Sequence, residues 1–188
     1  MNNVSNLQAI LLADPLRWRM LSMVRSLQLP DCWIGAGVLR NAVWDQLHGR
    51  VASRPDGDVD VLWFAADRAA PSEDRRVESA LRRLDPALDW SVKNQARMHR
   101  RNGDPAYTST VNAMRHWPET ATAVAARLTP SGQCEIAAPF GLDDLFSLVL
   151  RPTPRFAGEK YGLYLDRVRT KQWLTTWPLL RMQAAVSA

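Results

Sequence analysis

Apolar residues first fall into order at Leu16, Met20, Met23, Val24 and Leu27, a helical spacing that makes one continuous stripe. Asp14 and Pro15 precede the stripe as an N-cap and a proline at the first helical position, and Pro30-Asp31 stops it. The short apolar run Cys32-Trp33-Ile34 meets Gly35-Ala36-Gly37, and Leu39, Val43 and Leu47 then align on a helix over 38–47. This stretch reads as strand, glycine turn, helix. A polar loop over 49–57 separates it from DVDVLWF, whose β-branched and aromatic content predicts a strand.

Pro71-Ser72-Glu73 opens a further helix carrying Val77, Leu81 and Leu84. Leu88 to Gln95 alternates apolar and polar residues as a half-buried strand does. Trp117-Pro118-Glu119 has the proline and acid of a helix start. Thr129-Pro130-Ser131-Gly132 is a turn between two late strands. From Gly141 the pattern is helical to Arg151-Pro152-Thr153-Pro154, and a basic helical tail follows to the end. Strands interleaved with helices make the chain α/β (α+β), a mixed β-sheet flanked by helices. Neither repeats nor low-complexity segments interrupt it.

Its 188 residues fit one domain, 1–188, with a core over about 31–140 and a C-terminal helical part over about 141–188. A chain of this size buries roughly 70% of the surface its unfolded form exposes. No apolar run approaches the ~20 residues of a membrane helix, and the first residues lack the pattern of a secretory signal. The expectation is a cytoplasmic protein without a membrane partner. Cys32 and Cys134 form no CxxC pair and read as buried free thiols, while His48, His99 and His116 are too scattered for zinc spacing. The net charge of +5, almost all of it arginine, favours phosphate-bearing partners.

Gly35 and Gly37 stand where a backbone can approach an anion at a helix start, although tight strand-to-helix turns also need glycine for geometry alone. Arg40 replaces the third glycine of a dinucleotide fingerprint, and the span of a P-loop is missing. Asp58 and Asp60 share one strand face and repel each other unless a cation lies between them. Oxygen donors of this kind suit Mg2+. A solvated face is the other reading of two such acids, but Leu62 and Phe64 continue the same face. The apolar run follows the acids, whereas phosphatases with an aspartyl nucleophile place it before them.

A glycine turn opening a helix, followed by in-strand acids at Asp58 and Asp60, resembles the nucleotidyltransferase superfamily of DNA polymerase beta. More narrowly, the chain is similar to a small bacterial nucleotidyltransferase-like family whose substrate is not established. The matching stretches are WIGAGVLRNAVWDQLHG, DVDVLWF, WSVKNQARMH, HWPETATAVAARL, APFGLDDLFSLVLRPTPRF and KQWLTTWP. The resemblance implies a nucleotidyltransferase fold in which Asp58 and Asp60 hold one or two Mg2+ ions. The Gly35, Ala36 and Gly37 turn would hold the β- and γ-phosphates of an NTP, and an acceptor hydroxyl would attack the α-phosphorus. Arg40 and Lys93 are candidate phosphate contacts, each equally readable as a surface residue.

The superfamily has serine or glycine where Ala36 stands. Its third carboxylate has one counterpart in LDWSVKNQ, Asp89, which reads either as the base for the acceptor or as a cap of the preceding turn. Asp143-Asp144 reads as a helix-start pair or a second metal pair. Two alternatives stand beside transfer to an unknown acceptor: a non-catalytic relative that binds nucleotide or a partner through the same cleft, and an RNA-acting module.

Overall fold

The computed structural model describes residues 2–51, 54–55 and 57–184. Two helices open the chain, α1 (Asn3–Leu12) and α2 (Pro15–Ser26), and β1 (Trp33–Gly35) then passes through the glycine turn into α3 (Gly37–Leu47). There follow β2 (Val59–Trp63), α4 (Pro71–Leu84), β3 (Trp90–Asn94), α5 (Gln95–Asn102) and α6 (Thr110–Met114). A 3-10 turn at Thr120–Thr122 leads to the hairpin β4 (Ala125–Leu128) and β5 (Cys134–Ala137). The C-terminal part holds α7 (Asp143–Phe146), β6 (Val149–Leu150), α8 (Tyr161–Thr170), α9 (Trp173–Thr176) and β7 (Arg181–Met182).

Five strands form a mixed sheet in the order β3-β2-β1-β4-β5, in which only β2 and β3 are parallel. Strand alternation divides its two faces. Ile34, Val59, Val61, Trp63, Trp90, Val92, Ala126 and Leu128 point into the main core with the apolar stripes of α1, α2, α3 and α4. On the opposite face Trp33, Leu62, Ala125 and Ala137 form a smaller cluster covered by Met114, Val111 and Trp117. The first cluster is closed from the C-terminal side by Tyr164, Val168, Trp173 and Trp177. Trp44 of α3 meets the Trp173 and Trp177 rings edge-on at 5.9 and 5.1 Å, and Trp177 Nε1 donates to Asp45 at 2.8 Å. Cys32 and Cys134 are free thiols.

The expected helix caps and strands at 14–26, 33–47, 59–63, 71–84 and 90–94 are present, and Asp14 accepts from the N–H groups of Leu16 and Arg17 as its N-cap position requires. Four expectations are corrected. No α-helix starts at Pro118, because the segment 151–153 takes the backbone groups that would begin it. Trp117 O accepts from Thr153 Oγ1, Pro118 O from Thr153 N, and Thr120 N donates to Arg151 O. The helix from Gly141 is a single four-residue turn, ended by Leu148 at φ 57°, beyond which β6 pairs in parallel with β7. The tail is therefore two helices and a strand, not one helix. The strand expected to run to Gln95 ends one residue earlier, where Asn94 turns it into α5 by capping Ala96 N.

That corner rests on a buried carboxylate. Asp74 of α4 accepts from Trp63 Nε1 and Asn94 N, both at 2.9 Å, and from Arg97. It joins the C-terminal ends of β2 and β3 to the helices on either side. Asp74→Ala would strand three buried or half-buried donors, one of them charged, and is expected to lower stability by about 3–5 kcal/mol. Urea unfolding of the variant checks this, and a loss below about 1 kcal/mol would show that water replaces the carboxylate.

Candidate functional site

The candidate site lies on the face of the sheet that carries the smaller cluster. The pairing of Trp33 with Leu62 and Ile34 with Val61 puts Gly35 level with Asp60, and Asp60 lies beside Ser91 in the parallel neighbour. On the other side Gly35 pairs with Ala125, which pairs with Ala137. One row across five strands thus reads Ser91, Asp60, Gly35, Ala125, Ala137. Small side chains flank a single carboxylate in this row, and the exposed Asp58 precedes the same strand.

Burial pushes Asp60 up to about 6, and the neighbouring Asp58 charge adds to the shift. The positive charges of Arg167, Lys171 and Lys93 act in the opposite direction. Asp60 therefore sits in a site that disfavours its charge unless a cation is near. Two carboxylates with that conflict are hard-ligand donors for a divalent cation, so the residues fit Mg2+. Among the described residues no group of three or more His, Cys, Asp or Glu side chains gathers at a metal-holding point, so phosphate or water oxygens would complete the shell.

The glycine turn separates the roles of its residues. A Cβ at Gly35 would lie 2.7 Å from Leu62 Cδ1 and 3.1 Å from Trp117 Cη2, so packing demands glycine there. At Gly37 the nearest atom would be an Arg40 guanidinium nitrogen at 3.7 Å, so packing leaves that position open. The left-handed residue is Ala36, with φ 49° and ψ −116°, and its N–H donates to Val124 O at 2.9 Å. Only glycine adopts that conformation freely.

Arg40 is not a surface residue. It is 7% exposed, donates to Asn41 Oδ1 and lies over the rings of Trp44 and Trp173 at 4.9 and 4.5 Å. Burial lowers it to about 10, against the stabilising charge of Glu119. Lys93 is half-buried, level with Leu62 in the register, and its Nζ donates to Val92 O at 3.2 Å. Asp89 lies just before β3 at the sheet edge. Its side chain is 69% exposed and accepts from Arg82 of α4 at 3.3 Å, while its carbonyl accepts from Val59 N at 2.7 Å. Asp143 and Asp144 are tied elsewhere, to Asn3 and to Arg151 and Thr120 respectively.

Three charged residues whose placement depends on tertiary packing escape sequence reasoning. Glu119 is fully buried, accepts from Arg167 Nε at 3.0 Å and from Thr122 Oγ1 at 2.7 Å, and burial raises its pKa. Arg167 and Lys171 come from α8 and its C-cap, more than a hundred residues from Asp60. Their spacing of four on one helix face was visible, but nothing local says which face meets the cleft.

A family model described as nucleotidyltransferase matches residues 22–182. A solved structure described as revealing a CCA-adding enzyme head domain is 32% identical, with a TM-score of 0.86 over 97% of this chain and 97% of that one. A CCA-adding enzyme in complex with CTP shares 16% identity at a TM-score of 0.60, covering 97% of this chain and 43% of the enzyme. The Thermotoga maritima CCA-adding enzyme complexed with tRNA gives 17%, 0.57, 97% and 42%. The chain thus spans less than half the length of these two enzymes, and the likeness to them is one of fold. No curated protein matches the sequence.

Ala36→Gly tests the turn. Relief of a strained left-handed alanine, about 1–3 kcal/mol, outweighs the extra freedom of unfolded glycine, about 0.5–1 kcal/mol. The variant is expected to gain about 1 kcal/mol in chemical unfolding, and a loss of stability would mean that the alanine methyl is needed for packing.

Proposed function

Because the chain belongs to the nucleotidyltransferase family, we propose that it transfers a nucleoside monophosphate from an NTP to an acceptor hydroxyl at the Asp58–Asp60 cleft. The observation that carries the reading is Asp60. It is a carboxylate in a row of small residues, level with the glycine turn, pushed up to about 6 and faced by cations. Such a site suits a divalent cation together with a polyanion.

In this reading Asp58 and Asp60 hold Mg2+, which when bound neutralises charge on the triphosphate and withdraws electrons from phosphorus. The turn at Gly35, Ala36 and Gly37 and the start of α3 offer N–H groups to the β- and γ-phosphates. Gly37 leaves the approach open, and Arg40 contributes positive charge from within the protein, held by the tryptophans. The acceptor oxygen bonds to the α-phosphorus, the bridging α–β oxygen bond breaks, and pyrophosphate leaves with the electron pair. The hydroxyl proton passes to a base, and Asp89 is the candidate if it leaves Arg82. The net charge of +5 and the likeness to a CCA-adding enzyme head domain favour an acceptor that itself carries phosphate, RNA foremost.

The test is Mg2+-dependent consumption of each of the four NTPs, with RNA 3′ ends, small hydroxyl compounds and proteins offered as acceptors. Asp58→Asn and Asp60→Asn are each expected to reduce turnover at least about 10²-fold while unfolding stability holds or rises, since carboxylate repulsion is relieved. Wild-type protein inert with every NTP and acceptor would leave the non-catalytic, ligand-binding alternative in its place.

Asp89→Asn separates base from edge residue. As base, its loss cuts turnover by about 10²-fold or more at nearly unchanged NTP affinity. Unchanged turnover would confine Asp89 to its pair with Arg82.

A further inference from the structure

The helix α5 differs in charge from its neighbour α4. On α4 the arginines sit beside acids, Arg76 with Glu73 at 3.0 Å and Arg82 with Glu78 at 3.2 Å. α5 holds Arg97, Arg100 and Arg101 but no Asp or Glu. Arg97 is used internally, on the buried Asp74. Among the described residues Lys93, Arg100 and Arg101 have no ion pair. Further cations gather where α5 ends: Lys160 Nζ donates to Asn102 O at 3.3 Å and Arg155 Nη2 to Gly103 O at 3.4 Å. Asp104, the acid that follows, has a side chain 2% exposed and already accepts from Arg155 and Tyr107. The exposed charge that remains on α5 is all of one sign.

These charges share a groove. A cavity of about 640 Å3 is lined by Lys93, Arg97, Arg100 and Arg101, and small residues with Met98 make the rest of its wall. Among the described residues neither an acid nor an aromatic ring lines it. The helix that carries the arginines is fixed in place, since Asn94 caps it, Arg97 holds Asp74 and His99 packs edge-on against Tyr107 at 5.9 Å. Lys93 relates the groove to the Asp60 row. Trp90, Val92 and Asn94 are buried, so Ser91 and Lys93 share the other face of β3. Ser91 is level with Asp60 and Lys93 with Leu62, which puts Lys93 about 7 Å along the strand from that row. The eight residues of α5 extend the row of cations by about 12 Å. That length suits a chain of phosphates, not a single one.

We infer that the α5 groove binds the phosphate backbone of a single-stranded nucleic acid, which passes over Lys93 toward the Asp58–Asp60 site. The volume is that of a small-ligand pocket, with room for a short stretch of one strand and not for a duplex. Cations without aromatic rings or acids contact phosphates and leave the bases unread, so binding tolerates any sequence and falls steeply with salt. An acidic peptide offers its charges at irregular spacing and would need apolar anchors that this wall lacks. Only the role of the strand as acceptor rests on the transfer reading; binding itself needs neither turnover nor metal.

The experiment is fluorescence anisotropy of the whole chain with a labelled oligouridylate of about twelve nucleotides, in EDTA, over a series of salt concentrations. Arg100→Gln combined with Arg101→Gln is expected to weaken binding about tenfold or more near about 0.1 M salt. It also lowers the slope of log K against log salt by about 1.4, the loss of two phosphate contacts on a single strand. Arg100→Lys with Arg101→Lys keeps most of the affinity, because each phosphate is met as a point charge. Both positions are exposed, so the unfolding midpoint of either double variant stays that of the wild type. Oligoadenylate and oligocytidylate of the same length bind within about threefold of oligouridylate. Wild-type protein that binds no oligonucleotide, an unchanged slope in the folded glutamine double variant, or competition by polyglutamate equal to that by polyuridylate at the same charge would each overturn the inference. Binding that depends on Arg100 and Arg101 in a protein that consumes no NTP would uphold the groove and remove the transfer reading. Extension of RNA 3′ ends with an unchanged KM for RNA in the glutamine double variant would do the reverse.

Discussion

The central strand β2 has two obligations that its alternation must satisfy at once. Val59, Val61 and Trp63 are nearly or wholly buried in the main core, so Asp60 and Leu62 are forced to the other face. A slip of one residue would put Asp60 among the side chains of α2, α3 and α4 and leave Trp63 in the cleft. Register is pinned at both ends of the strand. Val59 N donates to Asp89 O, and Trp63 Nε1 donates to the buried Asp74. The position of the carboxylate is thus fixed by packing several residues away from it.

The cleft is electrostatically asymmetric because its parts come from distant segments. Asp58 and Asp60 repel each other and stand two residues apart in sequence, so that conflict is local. The charges that offset it, from Lys93, Arg167 and Lys171, arrive through tertiary packing. α8 and α9 reach the cleft because Trp173 and Trp177 meet Trp44 and because Trp177 hydrogen-bonds Asp45. Aromatic packing with one polar anchor therefore sets where the cations stand.

The similarity to a CCA-adding enzyme head domain runs over 97% of both chains, which includes α8, α9 and the paired strands β6 and β7 as well as the sheet. The longer CCA-adding enzymes share the fold over less than half their length. What the two groups have in common is the fold. In this chain the turn departs from unstrained geometry at Ala36, where a left-handed backbone carries a methyl group.

Strand alternation and helical spacing made much of this protein legible from sequence. The β1–α3 turn, the placement of Asp60 on the face of β2 away from the main core, and the β4–β5 hairpin all follow from local patterns and turn chemistry; Asp58, read as part of the strand, lies just before it. So does the family, because the turn and the acids lie within thirty residues of each other. The helix expected after Trp117 failed for a non-local reason: its first carbonyls are taken by Thr153, and its acid, Glu119, is drawn inward by Arg167. Arg40 read equally as a phosphate contact or a surface residue, because nothing near it in sequence predicts that Trp173 will cover it. The cation wall of the cleft was invisible for the same reason. Periodicity defines which residues share a face of an element, and only tertiary packing decides what that face meets.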